Sequence, residues 1–161
     1  MIRVLFVCLG NICRSPTAHG VFLHKLEQRG LAGQVAVDSA GTAAWHAGEA
    51  PDARSQTTAA VRGYDLSALR ARQAVAEDFS QFDYVLAMDM DNLRNLQSLR
   101  PGITGTEPEL FLQTYGRRFR VAEVPDPYYG GVDGFEQVLD LIEDACDGLL
   151  DHIGQRLQAR P

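Results

Sequence analysis

Residues 2–16 read IRVLFVCLGNICRSP, and the rest of the fold is organised around them. From Ile2 to Val7 the chain is a continuous apolar run, rich in β-branched and aromatic residues, that only Arg3 interrupts. Such runs are typical of strands that are buried on both faces of a parallel sheet. Ser15 and Pro16 then predict a helix start, with the Ser15 hydroxyl at the N-cap and the proline at the first helical position. We therefore expect a buried strand, a short loop and a helix in succession.

Further along the chain, apolar residues alternate between the spacing of strands and that of helices. We predict two more strands over Val35 to Ser39 and Phe82 to Met88, and a short fourth strand over Arg118 to Val124. Helical spacing predicts helices over 17–29, 52–63, 91–99 and 135–157. Strands that alternate with helices favour an α/β fold, in which a parallel sheet carries helices on both faces.

Length and composition restrict the class of protein. A chain of 161 residues and 17.7 kDa fits one domain, so we expect residues 1–161 to form a single domain. With 45% hydrophobic and 22% charged residues it has the balance of a globular protein. The net charge of −6 disfavours a nucleic-acid-binding surface, which would be basic. No apolar run approaches the ~18–20 residues that a membrane span needs.

The cysteines indicate a compartment. Cys8, Cys13 and Cys146 form an odd and sparse set that does not suit a secreted disulfide framework, and the N-terminus has no cleavage site of a signal peptide. We therefore expect a cytoplasmic protein, while secretion by a route without a signal peptide is left open.

The loop after the first strand carries the chemistry. Cys8 and Arg14 have the spacing C-x5-R, and between them Gly10 and Asn11 both tolerate left-handed backbone conformations. A loop that curls between a strand end and a helix N-terminus points backbone N–H groups inward and binds oxyanions. The arginine fork matches a phosphate, and the same field stabilises a thiolate on the cysteine, to which Ser15 could donate its hydroxyl. This arrangement predicts a phosphate site with a nucleophile at its floor.

Several motifs in order along the chain resemble those of the low-molecular-weight protein tyrosine phosphatases. They are CLGNICRSP at 8–16, DSAGT at 38–42, ARQ at 71–73, EDF at 77–79, FDYVLAMD at 82–89 and DPYYGG at 126–131. The resemblance covers nearly the whole chain. It implies a four-stranded parallel sheet flanked by helices, and hydrolysis of phosphotyrosine and aryl phosphate monoesters through a phosphocysteine intermediate, without a metal or other cofactor.

The resemblance also implies roles for single residues. Cys8 resembles the family nucleophile, Arg14 the residue that holds the phosphoryl group, and Asp126 the general acid. Ser15 resembles the hydroxyl that assists the thiolate as a leaving group. The phosphate-binding loop would comprise Leu9, Gly10, Asn11, Ile12, Cys13, Arg14 and Ser15.

Residues around this loop are assigned in the same way. Asn11 resembles the loop residue that is held in a strained conformation, and Ser39 the residue that supports it. Cys13 is either a small packed residue or, as the resemblance suggests, a redox partner of Cys8. The resemblance places three aromatic residues at the border of the substrate cleft: Trp45, Tyr128 and Tyr129. It leaves open whether the two tyrosines are themselves phosphorylated.

Two positions depart from the family pattern. His19 stands where the family commonly has glutamate, and Leu69 where it often has histidine, so the network behind the phosphate loop is altered in a way that the sequence does not resolve. The other three histidines, His24, His46 and His152, are expected to be solvated surface residues. Asp89 and Asp91 are expected to cap the helix that follows them.

Three other functions share some of these features. An arsenate reductase on the same scaffold would need further cysteines to relay a disulfide, and only Cys13 and Cys146 are available. A silent phosphate- or phosphopeptide-binding module would need neither a thiol nor an acid, and the phosphate loop of a flavodoxin-like flavin protein lacks the Cys/Arg pair. The expected partner is a phosphotyrosine-containing protein, with a bacterial tyrosine kinase or a host protein as candidates. Phosphate or other oxyanions would bind as product or inhibitor.

Overall fold

The computed structural model describes residues 1–128 and 131–159. Its strands are β1 Ile2–Cys8, β2 Val35–Gly41, β3 Tyr84–Ala87 and β4 Glu109–Leu110. Its helices are α1 Arg14–Gln28, α2 Ala53–Val61, α3 Asp78–Gln81, α4 Met90–Leu99, α5 Phe111–Tyr115 and α6 Val132–Gln158.

The four strands form one parallel sheet in the order β2-β1-β3-β4, which confirms the predicted fold class. In the register of the sheet, Val4 lies opposite Val37 of β2 on one side and Tyr84 of β3 on the other. The chain leaves β1 toward β2 and returns to its other side as β3. The carboxyl end of β1 is therefore a topological switch point, where open α/β sheets bind their ligands.

Both faces of β1 are buried, as its apolar run predicts. Phe6 points into the larger core cluster, where its ring meets the rings of Phe22 and Phe111 edge-on at centroid distances of 5.8 and 5.0 Å. Leu5 and Val7 point into a second cluster on the opposite face. Helices cover both faces of the sheet, so the end of β1 is held rigidly.

The prediction of a fourth strand over Arg118 to Val124 is wrong, because that segment forms no strand and β4 is Glu109–Leu110. At the start of the segment the backbone N–H groups of Arg118 and Phe119 donate to the carboxylate of Asp144 on α6, which replaces a strand partner. The true strand has only two residues and is too short to show an alternating pattern.

The start of α1 also differs from the prediction. The helix begins at Arg14, so Cys13 and not Ser15 is the N-cap residue, and it makes no side-chain capping bond. Ser15 lies in the first turn, where its hydroxyl bonds to groups of the active-site loop described below. Pro16 is tolerated in this turn because the first N–H groups of a helix have no intrahelical acceptor.

The packing of α6 on α5 yields a stability prediction. A Cβ at Gly148 would lie 1.9 Å from the carbonyl oxygen of Tyr115. We expect Gly148→Ala to lower the free energy of unfolding by ~1–3 kcal/mol, as overpacking does. Gly154→Ala on the same helix is the control, because nothing lies within 4 Å of its Cβ position, and it should leave stability unchanged or raise it slightly. Urea denaturation would measure both, and equal midpoints would contradict this close approach.

Candidate active site

The loop from β1 to α1 depends on one strained residue. Within residues 1–128 and 131–159, Asn11 is the one non-glycine residue with a positive φ, of 58°. Its side-chain amide holds it in place: Nδ2 donates to Ser15 Oγ at 2.7 Å, and Oδ1 accepts the backbone N–H of Arg72 at 3.0 Å. Gly41 lets the loop approach β2, since a Cβ there would lie 2.7 Å from the carbonyl oxygen of Leu9. These contacts offset the cost of a left-handed asparagine, of ~1–3 kcal/mol.

Cys8 ends β1 and lies beneath this loop. Its Sγ accepts the backbone N–H of Asn11 at 3.3 Å and lies 3.0 Å from Ser15 Oγ. When the sulfur is a thiolate, the hydroxyl must be the donor of that second bond. The backbone N–H of Asn11 and the nearby N-terminus of α1 direct partial positive charge toward the sulfur, so the loop is suited to hold a sulfur nucleophile.

Arg14 is buried, with 3% of its side chain exposed, and its guanidinium is held by two hydrogen-bond acceptors and a further ion pair. Nη1 donates to Asp89 Oδ2 at 2.6 Å and to the carbonyl oxygen of Val124 at 3.0 Å, while Nη2 lies 3.6 Å from Asp126 Oδ2. Asp89 also caps α4, as predicted, by accepting the backbone N–H of Asn92. Its contact with Arg14 was not foreseen from the sequence.

The charge on Arg14 is well supported. Burial alone would lower its pKa, but the sulfur of Cys8 and the carboxylates of Asp89 and Asp126 outweigh burial, so that the pKa is raised above its ordinary value. The guanidinium is therefore a permanent cation at the entrance of the loop. It lines the same pocket as Cys8.

Asp126 faces the loop from the segment that precedes α6. Its Oδ1 accepts the backbone N–H of Tyr128 at 3.0 Å, as an aspartate at a turn opening commonly does. Its Oδ2 is the oxygen near Arg14, and 38% of its side chain is exposed. The carboxyl group therefore keeps a fixed orientation while it can still exchange protons with water.

One pocket, of about 130 Å³, brings most of the predicted site residues together. It is lined by Cys8, Leu9, Gly10, Ile12, Cys13, Arg14, Trp45, His46, Asp126 and Tyr128. Trp45 is 74% exposed and stands at the mouth as an apolar surface. The Arg54 guanidinium stacks on the ring of Tyr128, 5.3 Å from its centroid. Tyr129 lies outside the described residues.

His46 was predicted to be a solvated surface residue, and this is wrong. It is partly buried in the pocket wall, its ring faces Tyr128, and its Nδ1 pairs with the carboxylate of Glu49. A Cβ on Gly10 would lie only 2.9 Å from its Cδ2. A sequence signal existed, because His46 directly follows Trp45, which was assigned to the cleft.

Behind the loop, Ser39 does not contact Asn11 as expected. Its Oγ lies 3.0 Å from His19 Nδ1, and the described bonds of the Asn11 side chain go to Ser15 and Arg72 instead. Burial lowers the pKa of His19, although the charge of Asp38 acts against this, so the imidazole is neutral at pH 7. A neutral His19–Ser39 pair thus lies behind the loop.

The fold and the pocket together define a class of protein. A loop that can hold a phosphoryl group against a sulfur nucleophile, with a carboxyl group at its open side, is the machinery of a cysteine-dependent phosphatase. The family profile described as low molecular weight phosphotyrosine protein phosphatase matches residues 3–159, and the chain belongs to this family. The protein is therefore a protein tyrosine phosphatase, which hydrolyses phosphotyrosine monoesters through a phosphocysteine intermediate.

Individual relatives agree with this placement. A low molecular weight protein-tyrosine-phosphatase of Streptomyces coelicolor is 43% identical, and the match covers 98% of this chain and 97% of the relative. The crystal structure of a protein tyrosine phosphatase from Entamoeba histolytica, with Hepes in the active site, matches with a TM-score of 0.91 at 38% identity over 96% of this chain and 98% of that one. YfkJ from Bacillus subtilis matches with a TM-score of 0.90 at 39% identity, covering 97% and 96%.

In the part of the chain that the structure describes, no helix has the length and apolar character that a bilayer crossing demands.

Proposed function

We propose that Cys8, Arg14 and Asp126 carry out the two half-reactions of this phosphatase. In the first, the Cys8 thiolate attacks phosphorus and the bond from phosphorus to the phenolic oxygen breaks. Arg14 and the loop N–H groups bind the equatorial oxygens, and Asp126 gives its proton to the departing phenolate. The observation that carries this assignment is that all three side chains line one pocket at the carboxyl end of β1.

The second half-reaction releases phosphate. Asp126, now ionised, takes a proton from water as the water oxygen attacks phosphorus, and the bond from phosphorus to sulfur breaks. Cys8 leaves as a thiolate, which the hydroxyl of Ser15 stabilises from 3.0 Å. The covalent intermediate divides one difficult displacement into two easier ones.

The test is Asp126→Ala, which should impair the enzyme most with poor leaving groups. A phenolate of high pKa needs a proton as it departs, whereas a nitrophenolate does not. We expect kcat to fall by ~100–10,000-fold with phenyl phosphate and by much less with para-nitrophenyl phosphate. Steady-state rates over a series of aryl phosphates would show a steeper dependence on leaving-group pKa in the variant.

The matched control is Asp91→Ala, which removes an exposed carboxylate on α4 that lies outside the pocket. It should behave like the wild type with every substrate. A loss in Asp126→Ala that is uniform across leaving groups would mean that Asp126 is structural, and the general-acid assignment would then be withdrawn.

The pocket supports a phosphotyrosine-containing protein as the partner. Its mouth is bordered by Trp45 and Tyr128, which offer aromatic surface to the phenol ring, and the loop would also take free phosphate as product or inhibitor. A bacterial tyrosine kinase or a host protein remains the proposed substrate. A cytoplasmic location, and one catalytic domain over residues 1–161, are likewise proposed; the family match to residues 3–159 supports the second.

An arsenate reductase finds no support at Cys146. This thiol is fully buried in α6, where its Sγ contacts the carbonyl oxygen of Ala18, and burial raises its pKa well above the usual value. A disulfide relay needs a thiol that can reach the catalytic cysteine, and Cys146 lies outside the pocket that Cys8 lines, so it is unsuited to the role.

Redox regulation is proposed for the pair of Cys8 and Cys13, which line the same pocket. Peroxide would convert the Cys8 thiolate to a sulfenic acid and release hydroxide. The Cys13 thiol would then displace water from that sulfenic acid to form a disulfide, which a dithiol reduces. Burial raises the pKa of Cys13 to about 12, although a hydrogen bond with Ser55 acts against this, so the second step should accelerate as pH rises.

Recovery after oxidation tests this proposal. Wild-type enzyme inactivated by peroxide should regain most of its activity with dithiothreitol, whereas Cys13→Ser should regain far less, because its sulfenic acid proceeds to irreversible forms. Mass spectrometry of the oxidised peptides would locate the bond. Equal recovery of the two proteins, or a bond from Cys8 to Cys146, would return Cys13 to a packing role.

A further inference from the structure

A groove leaves the catalytic pocket on the side of Leu9 and Trp45, between the loop after β2 and helix α4. These two residues line both the pocket and the groove, so the two spaces are adjacent. The groove has a volume of about 510 Å³, against about 130 Å³ for the pocket, and its far wall is formed by Asn95, Ser98 and Leu99. We call it the α4 groove. The phosphatase mechanism makes no use of it.

The α4 groove is uncharged. Among the residues that the structure describes, no acidic or basic side chain lines it. Apolar surface is open to it from Trp45, which is 74% exposed, and from Leu99, which is 37% exposed. The hydroxyl oxygen of Thr42 is also buried there without a hydrogen-bond partner.

The pocket is flanked on the side of Asp126 by a surface that, unlike the α4 groove, carries acidic side chains. A second trough shares Asp126 with the pocket, and its lining combines the carboxylates of Asp89 and Glu123 with apolar residues such as Val121 and Leu141. A bound peptide therefore meets acidic side chains on one side of its phosphotyrosine and an uncharged surface on the other. Only the uncharged side can accept an apolar residue without leaving carboxylates desolvated.

We propose that the α4 groove binds the residues that flank the phosphotyrosine in the protein substrate, and that it selects uncharged, apolar side chains there. The proposal rests on the assignment of the Cys8 pocket as the site of hydrolysis. In an extended peptide successive residues are ~3.3 Å apart, so the residues next to the phosphotyrosine extend from the pocket mouth toward the groove, which Leu9 and Trp45 border. A charged neighbour would lose water there and gain no counter-charge.

Three substrates test the proposal on the intact protein. They are para-nitrophenyl phosphate, a phosphotyrosine peptide with two leucines on each side, and the same peptide with glutamates in their place. The wild type should prefer the leucine peptide by about ten-fold in kcat/KM, which is the scale of selectivity that an open apolar surface provides. Ser98→Arg should reduce or reverse this preference, because it places a cation in the groove, and Asn95→Arg should act in the same direction. Neither variant should alter hydrolysis of para-nitrophenyl phosphate, which is too small to reach the groove.

The matched control is Gln97→Arg, which adds the same charge to α4 at an exposed position that does not line the groove. It should keep the wild-type preference. Equal rates of the wild type on the two peptides, or equal behaviour of Ser98→Arg and Gln97→Arg, would overturn the groove proposal while hydrolysis of para-nitrophenyl phosphate upholds the catalytic one. Failure of the wild type to hydrolyse para-nitrophenyl phosphate would instead refute the catalytic assignment.

Discussion

Replacing Cys8 by serine is expected to abolish turnover while phosphate still binds. A hydroxyl is not ionised near neutral pH, so it neither attacks phosphorus nor leaves from it as a stabilised anion. Removal of a covalent nucleophile typically costs several orders of magnitude, so kcat should fall by at least ~10,000-fold. The loop N–H groups and Arg14 remain in Cys8→Ser, and its dissociation constant for inorganic phosphate should stay within ~10-fold of the wild type.

Steady-state kinetics with para-nitrophenyl phosphate and calorimetric titration with phosphate would measure the two effects separately. Cys146→Ser is the control, because that thiol is buried in α6 away from the pocket and is expected to affect stability rather than kcat. If Cys8→Ser kept a substantial fraction of wild-type activity, the nucleophile would have to be another group.

The part of the fold nearest the N-terminus could be predicted because its signals are local. The apolar run of β1 is buried on both faces, so its composition alone indicated a strand in a parallel sheet. The fourth strand could not be found in this way. Glu109–Leu110 is a strand only because β3 offers it a partner, whereas Arg118 to Val124 has strand-forming residues but gives backbone N–H groups at its start to Asp144. Tertiary contacts decided both cases.

The candidate site likewise has residues that the local sequence predicts and contacts that only the fold creates. Cys8, Arg14 and Ser15 lie within eight positions of one another, so their spacing and the family resemblance were sufficient to place them. The bond from Arg14 to Asp89 joins residues 75 positions apart, and no pattern in the sequence relates them. Ser15 was misread as an N-cap because serine before proline commonly fills that role, and its hydroxyl oxygen instead lies 3.0 Å from Cys8 Sγ and 3.3 Å from the carbonyl oxygen of Ala40.

The second large loss of activity is expected from replacing the buried Arg14. We expect Arg14→Lys to lower kcat/KM for para-nitrophenyl phosphate by ~100–1,000-fold, the range seen when one donor to a developing anion is lost. A lysine keeps the charge, but its ammonium cannot form the planar fork that meets two phosphoryl oxygens at once. It is also shorter, so it would have to give up Asp89 or Val124, which now orient the guanidinium from 2.6 and 3.0 Å.

The affinity for inorganic phosphate distinguishes Arg14→Lys from Cys8→Ser. Arg14→Lys should weaken phosphate affinity together with kcat, because the proposed role of the arginine is to contact the anion in every state, whereas Cys8→Ser should lose turnover alone. Arg94→Lys on α4 is the matched control, since that guanidinium is 67% exposed and pairs only with Asp91 among its described ion pairs. It should retain wild-type kinetics. Near-normal kinetics in Arg14→Lys would show that charge without the fork suffices, and phosphoryl binding would then have to be assigned to the loop N–H groups.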